Sequence, residues 1–183
     1  MAKVILVTGA ARSGKSEWAE HLAVTSEKTV VYIATAMMNP QDAEWQERIR
    51  LHQQRRPDTW QVIAEAENIA KAIASCNHKQ CLLIDSLGSW VANLLALDKD
   101  TWNARKEDLL KCVTRVESEL IFVGEETGWG VVPAYASGRL FRDRLGNLIR
   151  SLGEIADNSY LVTGGYAVDL KVLGTSLKNI KQL

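Results

Sequence analysis

The stretch Gly9-Ala10-Ala11-Arg12-Ser13-Gly14-Lys15-Ser16 constrains this chain more than any other. It satisfies G-x-x-x-x-G-K-[ST], in which a glycine-rich loop turns its backbone N–H groups onto phosphate oxygens. Lys15 is placed to reach the β- and γ-phosphates, and the Ser16 hydroxyl to hold Mg²⁺. The flanks agree. Val4-Ile5-Leu6-Val7 reads as a short buried strand, and Trp18, Ala19, Leu22 and Ala23 recur at helical spacing after the loop. Strand, loop and helix in that order is the context that gives the motif its meaning, and a nucleoside triphosphate is the ligand it points to. The alternative is an ordinary strand-to-helix turn.

Similar apolar runs recur along the chain. Residues 29–33, 81–84, 120–123 and 160–163 read as further strands, and 60–63 as a short edge strand. Helical segments are expected near 41–54, 67–75, 87–97, 102–118 and 137–156. Strands alternating with helices predict an α/β fold, P-loop NTPase-like, with a mostly parallel sheet covered by helices on both faces. At 183 residues, a single domain over 1–183 is the expectation. Ligands of such sheets bind outside the carboxyl ends of the strands, which directs attention to 8–16, 34–37, 85–86 and 124–133.

Charge narrows the partners. Lys plus Arg balances Asp plus Glu, so no global field favours nucleic acid or an anionic membrane, and any anion site must be local. Cys76, Cys81 and Cys112 are too scattered for a zinc pattern and odd in number for a disulfide framework. A reducing cytoplasm fits. The sequence enters a strand at once, with no visible signal peptide, and no apolar stretch is long enough for a membrane span.

Several residues carry candidate chemistry. Asp85 closes the run 81–84, where a carboxylate suits a Mg²⁺ shared with Ser16; the bland reading is a helix N-cap. His52 falls within the expected helix 41–54, with Arg48 four residues before it and Arg55 and Arg56 three and four after. Nearby cations keep an imidazole neutral and nucleophilic, yet Trp45 and Ile49 share that face, and the residues alone favour a packed histidine on an ordinary amphipathic helix. Gly128-Trp129-Gly130, behind Glu125 and Glu126, is either a stacking surface or a loop anchor. Arg139, Arg142 and Arg144 with Asp143 offer a phosphate clamp, a subunit contact or a solvated face. His21 and His78 read as structural.

Together these stretches resemble the bifunctional adenosylcobinamide kinase/adenosylcobinamide-phosphate guanylyltransferases of cobalamin biosynthesis. The resemblance rests on ILVTGAARSGKS at 5–16, YIAT at 32–35 and RIRLHQQRRP at 48–57. It continues through LLIDSLGSWVANLL at 82–95, EETGWGVVP at 125–133 and RLFRDRLGNL at 139–148, in order over nearly the whole chain.

The resemblance implies two transferase reactions: phosphorylation of adenosylcobinamide by a nucleoside triphosphate, ATP or GTP, then transfer of GMP from GTP to the new phosphate through a covalent histidine–GMP. It implies His52 as that histidine, with Lys15 serving both steps. It implies nucleotide contacts at Gly9, Ala10, Ala11, Arg12, Ser13, Gly14, Lys15 and Ser16, at Thr35, Ala36 and Met37, at Gln53, Gln54, Arg55 and Arg56, and at Glu65 and Asp85. It implies Mg²⁺ at Ser16 and Asp85, and a homotrimer. Four positions depart from the family pattern. Ala10 replaces a frequent glycine, and Leu51 a second histidine found in some members. Thr127-Gly128-Trp129-Gly130 replaces Val-Gly-Met-Gly, and Ile149 a common asparagine; these two bear on substrate contacts. Competing readings are a small-molecule kinase that forms no covalent nucleotide, a nucleotide-gated switch or assembly ATPase, and a binding protein that has lost its chemistry.

Overall fold

The computed structural model describes residues 3–37, 50 and 56–177. Its frame is one seven-stranded sheet: β1 (Val4–Gly9), β2 (Thr29–Ala34), β3 (Gln61–Ala64), β4 (Gln80–Asp85), β5 (Glu119–Glu125), β6 (Asn158–Thr163) and β7 (Tyr166–Asp169). The order is β3-β2-β4-β5-β1-β6-β7, with every neighbouring pair parallel except β6 and β7. The described helices are α1 (Lys15–Thr25), α2 (Ile69–Ser75), α3 (Leu87–Asn93), α4 (Lys99–Arg115), α5 (Ala136–Ile155) and α6 (Leu170–Leu173).

The central strands β1, β4 and β5 are buried on both faces, which is why they read as continuous apolar runs rather than as alternating ones. Ile5, Val7, Tyr32, Leu83, Ile121 and Val123 face α1, whose Ala19 and Ala23 let the helix lie close. Leu6, Ile33, Leu82, Ile84 and Phe122 face the opposite layer, built by Ile73 of α2, Trp90 of α3, Leu109 of α4 and Leu148 of α5. The doubly covered sheet is therefore the one expected. Each anticipated strand is present within two residues of its expected ends, and 61–64 is the edge strand. The helix expected over 41–54 lies outside the described residues.

Two features were not foreseen. β7 returns antiparallel to β6 across Gly164-Gly165, whose φ values of 58° and 82° suit the tight turn between such strands. The other is Arg144. Its guanidinium is buried and donates to the Leu94, Leu95 and Leu97 carbonyls at 3.0, 3.2 and 2.6 Å while lying over Trp102. It satisfies the carbonyls left open where α3 ends, instead of facing solvent. Arg139 and Arg142 likewise bond loop carbonyls: Arg139 those of Pro133 and Ala134, Arg142 that of Gly128. These bonds tie the 128–134 loop to α5. Among the described residues, no helix is long and apolar enough to cross a membrane.

Candidate nucleotide-binding site

The phosphate loop grows from the carboxyl end of β1 and closes over it. Gly9 is buried, and a Cβ there would lie 2.5 Å from Ser13 Oγ and 2.6 Å from the Val162 carbonyl on β6, so only glycine fits. Ser13 N–H bonds the Ala10 carbonyl at 3.3 Å and tightens the turn. Gly14 takes φ 91°, a left-handed conformation costly for a side-chain-bearing residue, and from it Lys15 and Ser16 open α1. Gly14 makes no side-chain cap, so the first N–H groups of α1 remain available to an anion. Ala10 is exposed, which explains why a methyl group is accommodated where the family favours glycine.

Asp85 ends β4 two strands away, with β5 between. The structure sets aside one of its two readings, the helix N-cap. Ser86, not Asp85, is the N-cap of α3, its hydroxyl accepting Ser89 N–H at 3.3 Å. Asp85 is left free for another task. Tyr32 from β2 donates its hydroxyl to Asp85 Oδ2 at 3.0 Å. Burial, reinforced by the Asp85 charge, drives the Tyr32 phenol far above its ordinary pKa, so it stays a donor. The Arg56 guanidinium carbon lies 3.3 Å from the centre of the Tyr32 ring, and Arg56 Nε is buried without a partner. Asp85, Tyr32 and Arg56 thus form one cluster.

Ser16 and Asp85 are oxygen donors of the kind Mg²⁺ takes, one hydroxyl and one carboxylate, with substrate phosphates completing such a shell. The donor set fits: among the described residues the Ser16 hydroxyl makes no hydrogen bond, and Asp85 spends only one oxygen on Tyr32. Among the described residues, no group of three or more His, Cys, Asp or Glu gathers to hold a metal without such help.

Thr35 sits at the next strand end. It is fully buried; its Oγ1 accepts Ser86 N–H at 2.8 Å and donates to the Ser86 carbonyl at 2.7 Å, locking the chain after β2 to the chain after β4. Asn93 of α3 donates to the Thr35 and Ala66 carbonyls at 2.8 and 2.9 Å. Ala36 and Met37 follow Thr35 at the rim. Glu65 leaves β3 beside Ala34, its N–H on the Ala34 carbonyl. Its carboxylate accepts the Asn68 and Glu67 N–H groups at 2.7 and 2.9 Å, and those bonds lower its pKa. Residues 9–16, Thr35, Glu65 and Asp85 therefore share the carboxyl edge of the sheet, with Arg56 tied to Asp85 through Tyr32. His52, Gln53, Gln54 and Arg55 lie outside the described residues. His21 is exposed and stacks on Trp18, its ring centre 5.3 Å away, remote in role from the loop.

Sequence reasoning did not single out Tyr32, Gly88 or Asn93. Each acts through one contact across the fold. A Cβ at Gly88 would collide with the Glu125 carboxylate, which accepts Gly88 N–H at 2.8 Å. An asparagine on an apolar helix and a tyrosine at the strand end before Thr35 were the available signals. Ile149, the departure from asparagine, packs 3.1 Å from where a Cβ at Gly124 would stand.

A parallel sheet with a glycine-rich cradle on β1 and a carboxylate at the end of β4 defines a P-loop nucleotide-binding protein. The archaeal flagellar accessory protein FlaH of Methanocaldococcus jannaschii has this fold, with a TM-score of 0.52 at 15% identity over 96% of this chain and 82% of its own. Comparison of sequences is more specific. Residues 5–170 match the family described as cobinamide kinase / cobinamide phosphate guanyltransferase, and the chain belongs to that family. Its relatives include the bifunctional adenosylcobalamin biosynthesis protein CobP of Pseudomonas aeruginosa, 37% identical over 168 residues and covering 91% of this chain and 96% of the relative. CobU of Escherichia coli is 34% identical over 183 aligned positions, 92% of this chain and 99% of the relative.

Proposed function

We propose that this chain is a bifunctional cobinamide kinase and cobinamide-phosphate guanylyltransferase, working in the cytoplasm as a homotrimer on ATP or GTP with Mg²⁺. The observation that carries the reading is an intact phosphate cradle, Gly9 through Ser16, with Asp85 at the end of β4 keeping one carboxylate oxygen open, in a chain of this family.

The first reaction moves a γ-phosphoryl group to the aminopropanol hydroxyl of adenosylcobinamide. The loop N–H groups and Lys15 hold the β- and γ-phosphates and spread the charge that accumulates on the leaving diphosphate. Ser16 and Asp85 would hold Mg²⁺, which would supply further charge neutralisation. The second reaction uses His52. A ring nitrogen forms a bond to the α-phosphorus of GTP as the α–β bridging bond breaks and pyrophosphate departs. An oxygen of cobinamide phosphate then displaces the imidazole, giving adenosylcobinamide-GDP. Gln53, Gln54, Arg55 and Arg56 contribute nucleotide contacts, with Thr35, Ala36, Met37 and Glu65 at the strand ends. The Thr35–Ser86 lock supports this placement by fixing the floor of the site before any ligand arrives.

The test is covalent capture. With [α-³²P]GTP and Mg²⁺ the protein gains an acid-labile, base-stable label, and His52→Ala abolishes it. Label persisting in His52→Ala overturns the histidine assignment. A chain that phosphorylates cobinamide but never takes label is a kinase alone.

A further inference from the structure

Between the cradle on β1 and Asp85 on β4 runs β5, and its last residue is Glu125. Glu125 pairs in register with Gly9, the first residue of the phosphate loop, and Asp85 pairs with Val123 two residues earlier on the same strand. Neighbouring strands stand about 4.8 Å apart. A carboxylate is thus held one strand from the loop and one strand from Asp85.

The carboxylate is held on one oxygen and open on the other. Oε2 accepts Gly88 N–H at 2.8 Å, and Oε1 has no hydrogen-bond partner among the described residues. Residue 88 must be glycine for the carboxylate to occupy this place. Glu125 also borders a cavity of about 400 Å³ shared with Glu126, Gly128, Arg142, Gly146 and Ile149. Its wall is fixed by the bond from Arg142 to the Gly128 carbonyl at 2.7 Å. A cavity of this size takes a side arm of a substrate rather than a whole macrocycle.

We propose that Glu125 is the general base of the kinase step, and that this cavity receives the hydroxyl-bearing arm of the acceptor. The inference rests on the kinase reading above. As the acceptor oxygen forms its bond to the γ-phosphorus, the bond to the β–γ bridging oxygen breaks and its electron pair leaves with the nucleoside diphosphate. The hydroxyl proton passes to Glu125 Oε1, and the carboxylic acid then returns it to solvent. GMP capture by His52 has no acceptor hydroxyl and no such proton, so it does not call on Glu125.

The two half-reactions provide the test. Glu125→Gln keeps the shape and an oxygen for Gly88 N–H but cannot take the proton. General-base removal of this kind costs about 10²–10⁴ in rate. With ATP, Mg²⁺ and cobinamide, Glu125→Gln is expected to lose at least about a hundredfold in kcat with KM for cobinamide moving severalfold at most. Labelling by [α-³²P]GTP is expected to fall at least tenfold less than phosphorylation, and Glu125→Asp to recover part of the kinase rate. Equal losses in both half-reactions would mark Glu125 as a prop for the start of α3 and overturn the proposal, as would an undiminished kinase rate. An unaltered chain that labels with GTP but cannot phosphorylate cobinamide would refute the kinase reading itself, and the base with it.

Discussion

Gly9→Ala tests how strictly the cradle depends on its first residue. The added methyl carbon would stand 2.6 Å from the Val162 carbonyl, about 0.8 Å short of ordinary contact, and 2.5 Å from Ser13 Oγ. Ser13 can rotate its hydroxyl away, since that oxygen is buried without a partner and gives up no bond. The Val162 carbonyl cannot rotate, because it belongs to the backbone of β6 where that strand pairs with β1. Relief must therefore come from the strand end or from the loop itself. Overpacking of this kind costs about 1–3 kcal/mol. In a chain of this length that is a fall in Tm of roughly 2–12 °C, readable by calorimetry without nucleotide. The functional loss is larger, because a phosphate cradle displaced by close to 1 Å forfeits about a hundredfold in rate. Gly130→Ala is the control: a Cβ there meets nothing within 4 Å, and its Tm should move by less than about 2 °C. If Gly9→Ala bound and turned over GTP as the unaltered chain does, the reasoning from the loop's closure over β1 would be wrong.

Two further outcomes follow from the site. Tyr32→Phe removes the hydroxyl that orients Asp85; loss of such a supporting bond raises the Mg²⁺ concentration for half-maximal activity about tenfold, and an unchanged Mg²⁺ titration would separate Asp85 from the metal. Glu65 has its folded pKa lowered by the Asn68 and Glu67 N–H groups, so its stabilisation is complete above the unfolded carboxylate range, about pH 4.3, and is lost as pH falls through the folded value. The Tm advantage of the unaltered chain over Glu65→Ala should therefore be full at pH 7 and shrink below pH of about 4; an advantage constant with pH would refute the cap.

Much of this was legible because the central strands are buried on both faces. Ile5 through Val7, Leu82 through Ile84 and Leu120 through Val123 have no polar alternation to confuse them with a surface strand. The phosphate loop was legible because its chemistry fixes residue types at fixed spacing. What escaped notice depended on tertiary contact. The β7 hairpin had a local signal, Gly164-Gly165 between two strand-like runs, but Tyr166-Ala167-Val168-Asp169 is short and half-exposed, so its periodicity is faint. Arg144 looked like one more charge on a helix. Only the end of α3, nearly fifty residues earlier in the chain, gives it carbonyls to bind. Gly88 had no legible reason to be glycine until Glu125 arrived beside it from β5.

The strand order carries a consequence for synthesis. The cradle is synthesised well before the neighbours it needs: the strand beneath it is flanked by β5 and β6, encoded more than a hundred residues later. Until those partners emerge, β1 is an unpaired apolar ribbon and the Gly9 turn has no Val162 to close against. The nascent polypeptide can therefore gain affinity for nucleotide only once β6 has emerged, and the apolar β1 is a natural client for chaperones during that wait.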